Sequence, residues 1–174
     1  TLSSHEPFDV PTNKFDEPYF NSVYYTDSCI GVFIDKLKAS PAWKNSLVVF
    51  IPDHNMRYPK TIGNFDPARH ESFMLWIGGA VKEPIIIDKV CSQIDMASTL
   101  LSQLHIDHSQ FPFSKDILNP TAKEFAFYTC PNGFGMITDK GKAVYDCDGK
   151  KELIKEGMVA DSLMLQGKAM LQCL

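Results

Sequence analysis

Leu47-Val48-Val49-Phe50-Ile51-Pro52-Asp53-His54, residues 47–54, is the stretch that decides the fold. Five apolar residues, three of them β-branched, run without a polar break and stop at a proline. A run this short and this uniformly apolar predicts a strand buried on both faces, as in a parallel sheet. Upstream, from Tyr19 to Ala39, Phe20, Val23, Tyr24, Ile30, Phe33, Ile34 and Leu37 recur at spacings of three and four, which predicts an amphipathic helix. Asp27 lies on or beside that apolar stripe and is expected to make a buried hydrogen bond. SPAWKN then reads as a loop. A helix followed by a buried strand predicts a βαβ unit.

Downstream, Asn55 to Arg69 is polar and bounded by prolines, a long loop of the kind that carries function. FMLWIGG, residues 73–79, predicts a second buried strand, and Ile85, Ile86 and Ile87 continue the apolar pattern. Ser92 with Asp95 three residues on is close to a capping box, opening a helix to about Leu104 that buries Ile94, Ala97, Leu100 and Leu101. FPFSKDIL reads as a turn and a short extended piece. EFAFYTC, GFGMITD and KAVYDCD, separated by turn residues, predict an antiparallel meander, and a final Leu- and Met-rich helix is expected from about Lys151. The expected fold class is therefore α/β. It has a mostly parallel sheet flanked by helices, with Leu47–Ile51 and Phe73–Ile77 central, and a small antiparallel sheet near the C-terminus. Residues 1–118 are expected to form one portion, and 119–174 the meander and terminal helix of the same domain.

Composition narrows the class further. The 174 residues are 44% hydrophobic and 22% charged, an ordinary globular balance that excludes a disordered or collagen-like chain. Lys and Arg number 17 against 21 Asp and Glu, a net charge of −4, which argues against a nucleic-acid partner. No apolar run reaches the roughly 18 residues needed to cross a bilayer. Five scattered cysteines, none in a CxxC, disfavour a zinc knuckle or a disulfide framework and read as small buried hydrophobes. The chain opens on Thr1, with no signal peptide, and its final AMLQCL keeps helical rhythm without a stop signal. Both ends are expected to be cuts in a longer chain.

The strongest chemical signal is Asp53-His54, just past the carboxyl end of a buried strand, the edge at which open α/β sheets bind ligands. A carboxylate beside an imidazole can ligate a divalent metal; the same pair can also be an ordinary turn with Asp53 as a cap. His5, in a Ser- and Pro-flanked segment, could donate to an anionic oxygen or be a plain loop histidine. Arg69 could pair with a phosphate or be a surface charge, and His70 adjoins it. His105 and His108 supply too few ligands for a metal and read as a solvated turn. Ser92 and Asp95 read as capping residues, not as nucleophile and base. No P-loop, GxGxxG or GxSxG is present, and GFG at 133–135 is too short to cradle a phosphate.

Taken in order, these pieces resemble a known family. TLSSHEPFDVP resembles the Thr-x-x-Ser-His-x-Pro-Phe segment of lipoteichoic acid synthase-like phosphoglycerol transferases. A helix carrying YxDxxIGxFIDxL and a buried strand ending in Asp-His follow in the same order there. SQIDMASTLLSQLHI is similar to the sulfatase-type Gln-x-Asp-x-x-Pro-Thr-Leu-Leu helix, with Ser98 where proline is usual. The resemblance covers about residues 1–118 and implies the alkaline phosphatase superfamily, on its lipoteichoic acid synthase and sulfatase branch. It implies that Asp53 and His54 complete a divalent metal site (manganese or zinc, with calcium or magnesium as alternatives) and that His5 contacts the substrate headgroup. Arg69 and His70 fall in a region that varies across the family and stand as candidate substrate-binding residues. Asn55 takes the place of the glycine that other sulfatase-like proteins have after Asp-His.

No position here matches the family's Thr or Ser nucleophile or its further acidic metal ligand, both of which lie upstream. The resemblance thus implies the C-terminal part of a metal-dependent transferase or hydrolase acting on a phosphoglycerol-type ester through a covalent intermediate. This part alone is expected to be inactive and to bind metal weakly. The implied partners are a phosphoglycerol lipid headgroup or another phosphate or sulfate ester, and the N-terminal half of the same chain. Self-association through an exposed sheet edge is expected without that half. The implied location is extracytoplasmic, below an upstream membrane anchor. A sulfatase, a phosphoethanolamine transferase, or a non-catalytic binding module with the same fold are the alternatives.

Overall fold

The computed structural model describes residues 10–55 and 62–174. Its contacts divide into two units. One holds the described residues up to Val49 together with Trp76–Pro84; the other holds Phe50–Leu75 and Ile85–Leu174.

In the first unit, helix α1 spans Pro18–Lys38, close to the periodicity in the sequence. Pro18 occupies the first turn, where its missing N–H costs nothing, and Lys36 and Lys38 sit in the last turn, favourable to the helix dipole. Asn21 secures the helix start: its Nδ2 donates to the Phe15 carbonyl (2.7 Å) and its Oδ1 accepts from the Phe15 amide (2.9 Å). The apolar stripe is largely uncovered here. Ile34 is buried, whereas Val23, Tyr24 and Phe33 are exposed. Asp27 is also exposed, so the buried hydrogen bond expected of it is absent; the buried polar residues of α1 are Asn21 and Ser22. SPAWKN contains a 3₁₀ turn, Pro41–Asn45, and the end of FMLWIGG folds back on it, with Gly79 N–H donating to the Trp43 carbonyl (3.0 Å).

Strands β1 (Val48–Phe50) and β2 (Leu75–Ile77) pair as a two-stranded sheet. Of the mostly parallel sheet predicted, the described residues hold these two strands. They are shorter than predicted and, apart from the exposed Leu75, half-buried, not enclosed on both faces. Phe73 and Leu75 are exposed, and Ile86 is 97% exposed in an irregular segment.

In the second unit, the Ser92–Asp95 signature closes as a capping box around a 3₁₀ turn, Gln93–Asp95, that runs into α2 (Met96–Gln103). The meander follows as expected: β3 (Ala126–Cys130), β4 (Gly133–Thr138) and β5 (Gly141–Asp146) are antiparallel neighbours. A fourth strand, β6 (Lys151–Gly157), replaces the first turns of the expected last helix. The cause is the preceding turn. Asp146 Oδ1 accepts from the amides of Asp148 and Gly149 (3.0 Å each), and Lys150 adopts φ +49°. The chain is thereby reversed and KELIKEG laid beside β5, overriding the helix propensity of Lys, Glu and Leu. Helix α3 therefore starts at Ala160 and runs to Cys173. It covers one face of the sheet, and Phe127, Phe134, Met136, Ala143, Leu163 and Met164 form the core between them. Phe134 is fully buried, a contribution of about 2–3 kcal/mol. The five cysteines are free; four are half-buried and Cys173 is exposed.

Candidate functional site

β1 delivers Asp53 and His54 from its carboxyl end, past Ile51 and Pro52. Both side chains are open to solvent, 85% and 60% exposed, with Asp53 Oδ2 3.8 Å from His54 Nε2. Asp53 Oδ1 also accepts from the His54 amide at 2.9 Å, which keeps the carboxylate turned toward its neighbour. His54 Nδ1 lies 2.9 Å from the Asn55 carbonyl. A carbonyl only accepts, so Nδ1 is the donor in this contact, and Nε2 is the nitrogen on the Asp53 side. Orientation of a metal-binding imidazole by a carbonyl on its other nitrogen is a common support for such ligands.

The segment is clamped on both sides. Before it, Gln93 Nε2 donates to the Pro52 carbonyl. After it, Asn55 Nδ2 donates to the Ala68 carbonyl (3.2 Å). Asn55, unusual at this place in the pattern, thus ties Asp53-His54 to the turn that carries Arg69. That turn is a 3₁₀ segment, Pro67–Arg69, capped by Asp66 Oδ1 accepting from the Ala68 amide (2.9 Å). Arg69 is half-buried, and among the described residues no carboxylate forms an ion pair with it. His70 does not project as a second donor beside it. Its Nε2 is bonded to the Asn64 carbonyl (2.9 Å) and its ring stacks on Tyr128 of β3, centroids 3.9 Å apart and 14° from coplanar. The structure therefore brings Asp53, His54 and Arg69 into one loop cluster and gives His70 a scaffold contact. His5 lies outside the described residues.

Behind this cluster stands a buried polar core centred on Asp95. Its carboxylate accepts from the amides of Ser92 (2.7 Å) and Lys115 (3.0 Å) and from the Lys115 ammonium. Asp95 is 1% exposed and the Lys115 side chain 16%. Lys115 also donates to the Phe125 carbonyl (2.9 Å). Burial, then the Asp95 charge, push the nearby Cys91 thiol up, away from a reactive thiolate. Ser92 Oγ accepts from the Phe127 amide (2.7 Å) and donates to its carbonyl (3.2 Å), joining the helix start to β3. Ser98, where the motif usually has proline, uses the N–H that proline lacks: its amide donates to Ser114 Oγ (2.9 Å). Ser92 and Asp95 are thus structural, as the capping pattern predicts. Lys115 carries little signal in the sequence, a single lysine among the residues of FPFSKDIL. His105 and His108 lie in the expected turn, His105 at φ +56° and His108 bonded to Ser102 (3.0 Å). Among the described residues no group of three or more metal-ligating side chains converges, so Asp53 and His54 have the right donor types but not a complete set.

The family model for sulfatases matches residues 1–106, well over half of the chain. The chain belongs to the sulfatase family. Within it, the chain is 28% identical to lipoteichoic acid synthase 2 of Bacillus subtilis (strain 168), over 71% of its own length and 23% of the relative's. It is 26% identical to the lipoteichoic acid synthase-like protein YvgJ of the same organism, over 72% and 25%. A crystal structure of an alkaline phosphatase superfamily protein from Vibrio parahaemolyticus superposes with a TM-score of 0.76 at 26% identity, covering 99% of this chain and 47% of that one. This sulfatase-family chain therefore spans about a quarter of the curated relatives it matches and about half of the solved structure. Among the described residues no helix is long and apolar enough to cross a membrane.

Proposed function

We propose that this chain is the C-terminal part of a metal-dependent phosphoglycerol-type transferase or hydrolase, acting on a phosphodiester. The observation that carries the reading is the clamped Asp53-His54 pair at the carboxyl end of β1, with His54 Nδ1 donating to the Asn55 carbonyl and Arg69 held next to it through Ala68. Asp53 and His54 would hold a divalent ion, manganese or zinc, which supplies Lewis-acid polarisation of the ester and offsets charge on the transferred group. Arg69 offers a guanidinium fork to the phosphate oxygens, a role favoured by its partial burial without a carboxylate partner among the described residues. His5 contacts the headgroup. A Thr or Ser nucleophile and a further acidic ligand come from sequence preceding this chain, with an anchor that places the site outside the cytoplasmic membrane.

The exposed apolar surfaces support this reading. The stripe of α1, Phe73, Leu75 and Ile85–Ile87 are the surfaces that such a preceding half would cover. In its absence they favour self-association. The likeness to two lipoteichoic acid synthase relatives favours phosphate over sulfate ester.

The test uses manganese on the purified 174-residue chain. Paramagnetic broadening should centre on the His54 ring at millimolar ion and vanish in Asp53→Ala, and no phosphodiester should be turned over. Broadening indifferent to Asp53→Ala refutes the ligand pair. Multiple turnover refutes the assignment of the nucleophile to preceding sequence.

A further inference from the structure

The family match ends at residue 106, and nothing in it assigns work to the meander. The contacts of the Arg69 loop do. Three side chains of residues 62–70 and the meander meet on one face of β3–β4. The His70 ring lies on the Tyr128 ring. The Tyr128 ring in turn lies where a side chain on Gly135 would be: a Cβ there would sit 2.1 Å from Tyr128 Cζ. One pleat further along the same strand, a Cβ on Gly133 would sit 2.7 Å from Phe65 Cε1. Register places Tyr128 opposite Gly135 and Cys130 opposite Gly133, so both glycines open the face to which Tyr128 belongs. The GFG of residues 133–135 is thus a two-notch floor, with Phe134 pointing the other way into the core.

Tyr128 itself is unusual. Its hydroxyl is buried with no hydrogen-bond partner among the described residues, and burial pushes its pKa up, so the ring stays neutral. A buried tyrosine hydroxyl normally finds a partner. Retaining the ring in spite of this points to the stacked face as the useful part. Arg69 precedes His70 directly, and its amide donates to the Asp66 carbonyl (3.0 Å) while the His70 amide donates to that of Pro67 (2.9 Å). Fixing the His70 ring therefore fixes the short turn that aims Arg69.

We infer that the C-terminal meander is a positioning element of the candidate site: Tyr128, seated over Gly135, holds His70 and thereby sets Arg69 for an anionic phosphoryl ligand. The ligand part of this inference rests on the proposed function; the positioning part does not. The test uses the 174-residue chain, with hydrogen exchange and His70 ring-proton shifts for the loop and glycerol 1-phosphate titration for the ligand. Tyr128→Phe keeps the stack and should keep all three readouts within about twofold. Tyr128→Ala should abolish the ring-current shift at His70. It should also speed exchange of the Arg69 and His70 amides at least tenfold relative to β4 and β5, and weaken glycerol 1-phosphate at least fivefold. His70→Ala removes the stack from the loop side without touching the meander and should speed Arg69 exchange likewise, which keeps the test decisive if Tyr128→Ala misfolds.

Unchanged Arg69 exchange in both alanine variants overturns the inference. So does faster exchange with unchanged glycerol 1-phosphate affinity, provided that Arg69→Ala weakens the same ligand. So does equal damage from Tyr128→Phe and Tyr128→Ala, since the hydroxyl would then be the important group. If Arg69→Ala does not alter the ligand while Tyr128→Ala still frees the loop, the phosphate reading falls and the positioning role stands.

Discussion

Replacing Asp95 by alanine should cost about 4 kcal/mol in the unit that carries the site. The carboxylate is 1% exposed and accepts three hydrogen bonds, from the Ser92 amide, the Lys115 amide and the Lys115 ammonium. Alanine removes all three hydrogen bonds and leaves the ammonium of a side chain 16% exposed with, among the described residues, the Phe125 carbonyl and, 4.0 Å away, the Phe125 ring. Removing one member of a buried ion pair costs about 3–5 kcal/mol, and the lost cap on the Ser92 amide lies within that range. At about 3 °C per kcal/mol for a chain of this size, the midpoint should fall by about 12 °C. Urea unfolding followed by far-UV circular dichroism reads the change in midpoint at constant slope. The cycle is closed by Lys115→Met. Alone it strands the carboxylate and should also be costly. In Asp95→Ala/Lys115→Met the ammonium is gone, and at least half of the loss should return, because removing both partners of a buried pair is far less harmful than removing one. A loss under about 1 kcal/mol for Asp95→Ala, or a double variant no more stable than Asp95→Ala, would refute the account of this core.

Gly167→Ala on α3 should destabilise by about 1–3 kcal/mol in thermal melts, although alanine is the better helix former by about 1 kcal/mol, because its Cβ would meet Phe134 Cε2 at 2.2 Å. Tyr128 has its folded pKa raised above the ordinary 10.0, so the native state holds that proton longer than the unfolded chain does. Its contribution is complete below about pH 10 and is lost as pH rises beyond it, so alkaline unfolding should set in at higher pH in Tyr128→Phe than in wild type. Gln93→Ala should speed amide exchange at His54 and Asn55 without moving the overall midpoint by more than about 1 kcal/mol, since it frees only the Pro52 carbonyl; unchanged exchange would show that Gln93 does not steady the pair.

What the sequence discloses follows from where each signal is stored. Local patterns are self-sufficient: the α1 periodicity, the Ser92–Asp95 cap and the turn residues between β3, β4 and β5 all appear where their spacing places them. β6 was hidden because KELIKEG is made of good helix formers, and only the reversal at Asp146–Lys150 and pairing with β5 make it a strand. The depth of β1 and β2 departs from their sequence pattern for a different reason. An apolar run records the partners a strand is suited to, and within this chain Phe73 and Ile86 have little to cover them. At the site, Asp53-His54 was legible from strand end and chemistry. Its supports were not, because Gln93, Asn55 and Tyr128 act across separations of 41, 13 and 58 residues, the last by stacking on His70, and no periodicity encodes such contacts.

The meander and α3 have a bearing on how the chain comes to be folded. Every residue of their core falls between Phe127 and Met164, and each strand pairs with its immediate successor through a connection of only a few residues. Contacts this local carry little loop-closure entropy and form quickly once the segment is available. In synthesis from the N-terminus this segment appears after residues 62–70 and 92–95. The segment with the most local contacts would thus form around already-made residues 62–70 and 92–95. It would close on Phe65 and His70 from one side and on Ser92 from the other, so that completion of the last strand pairs coincides with the docking of the loop that bears Arg69.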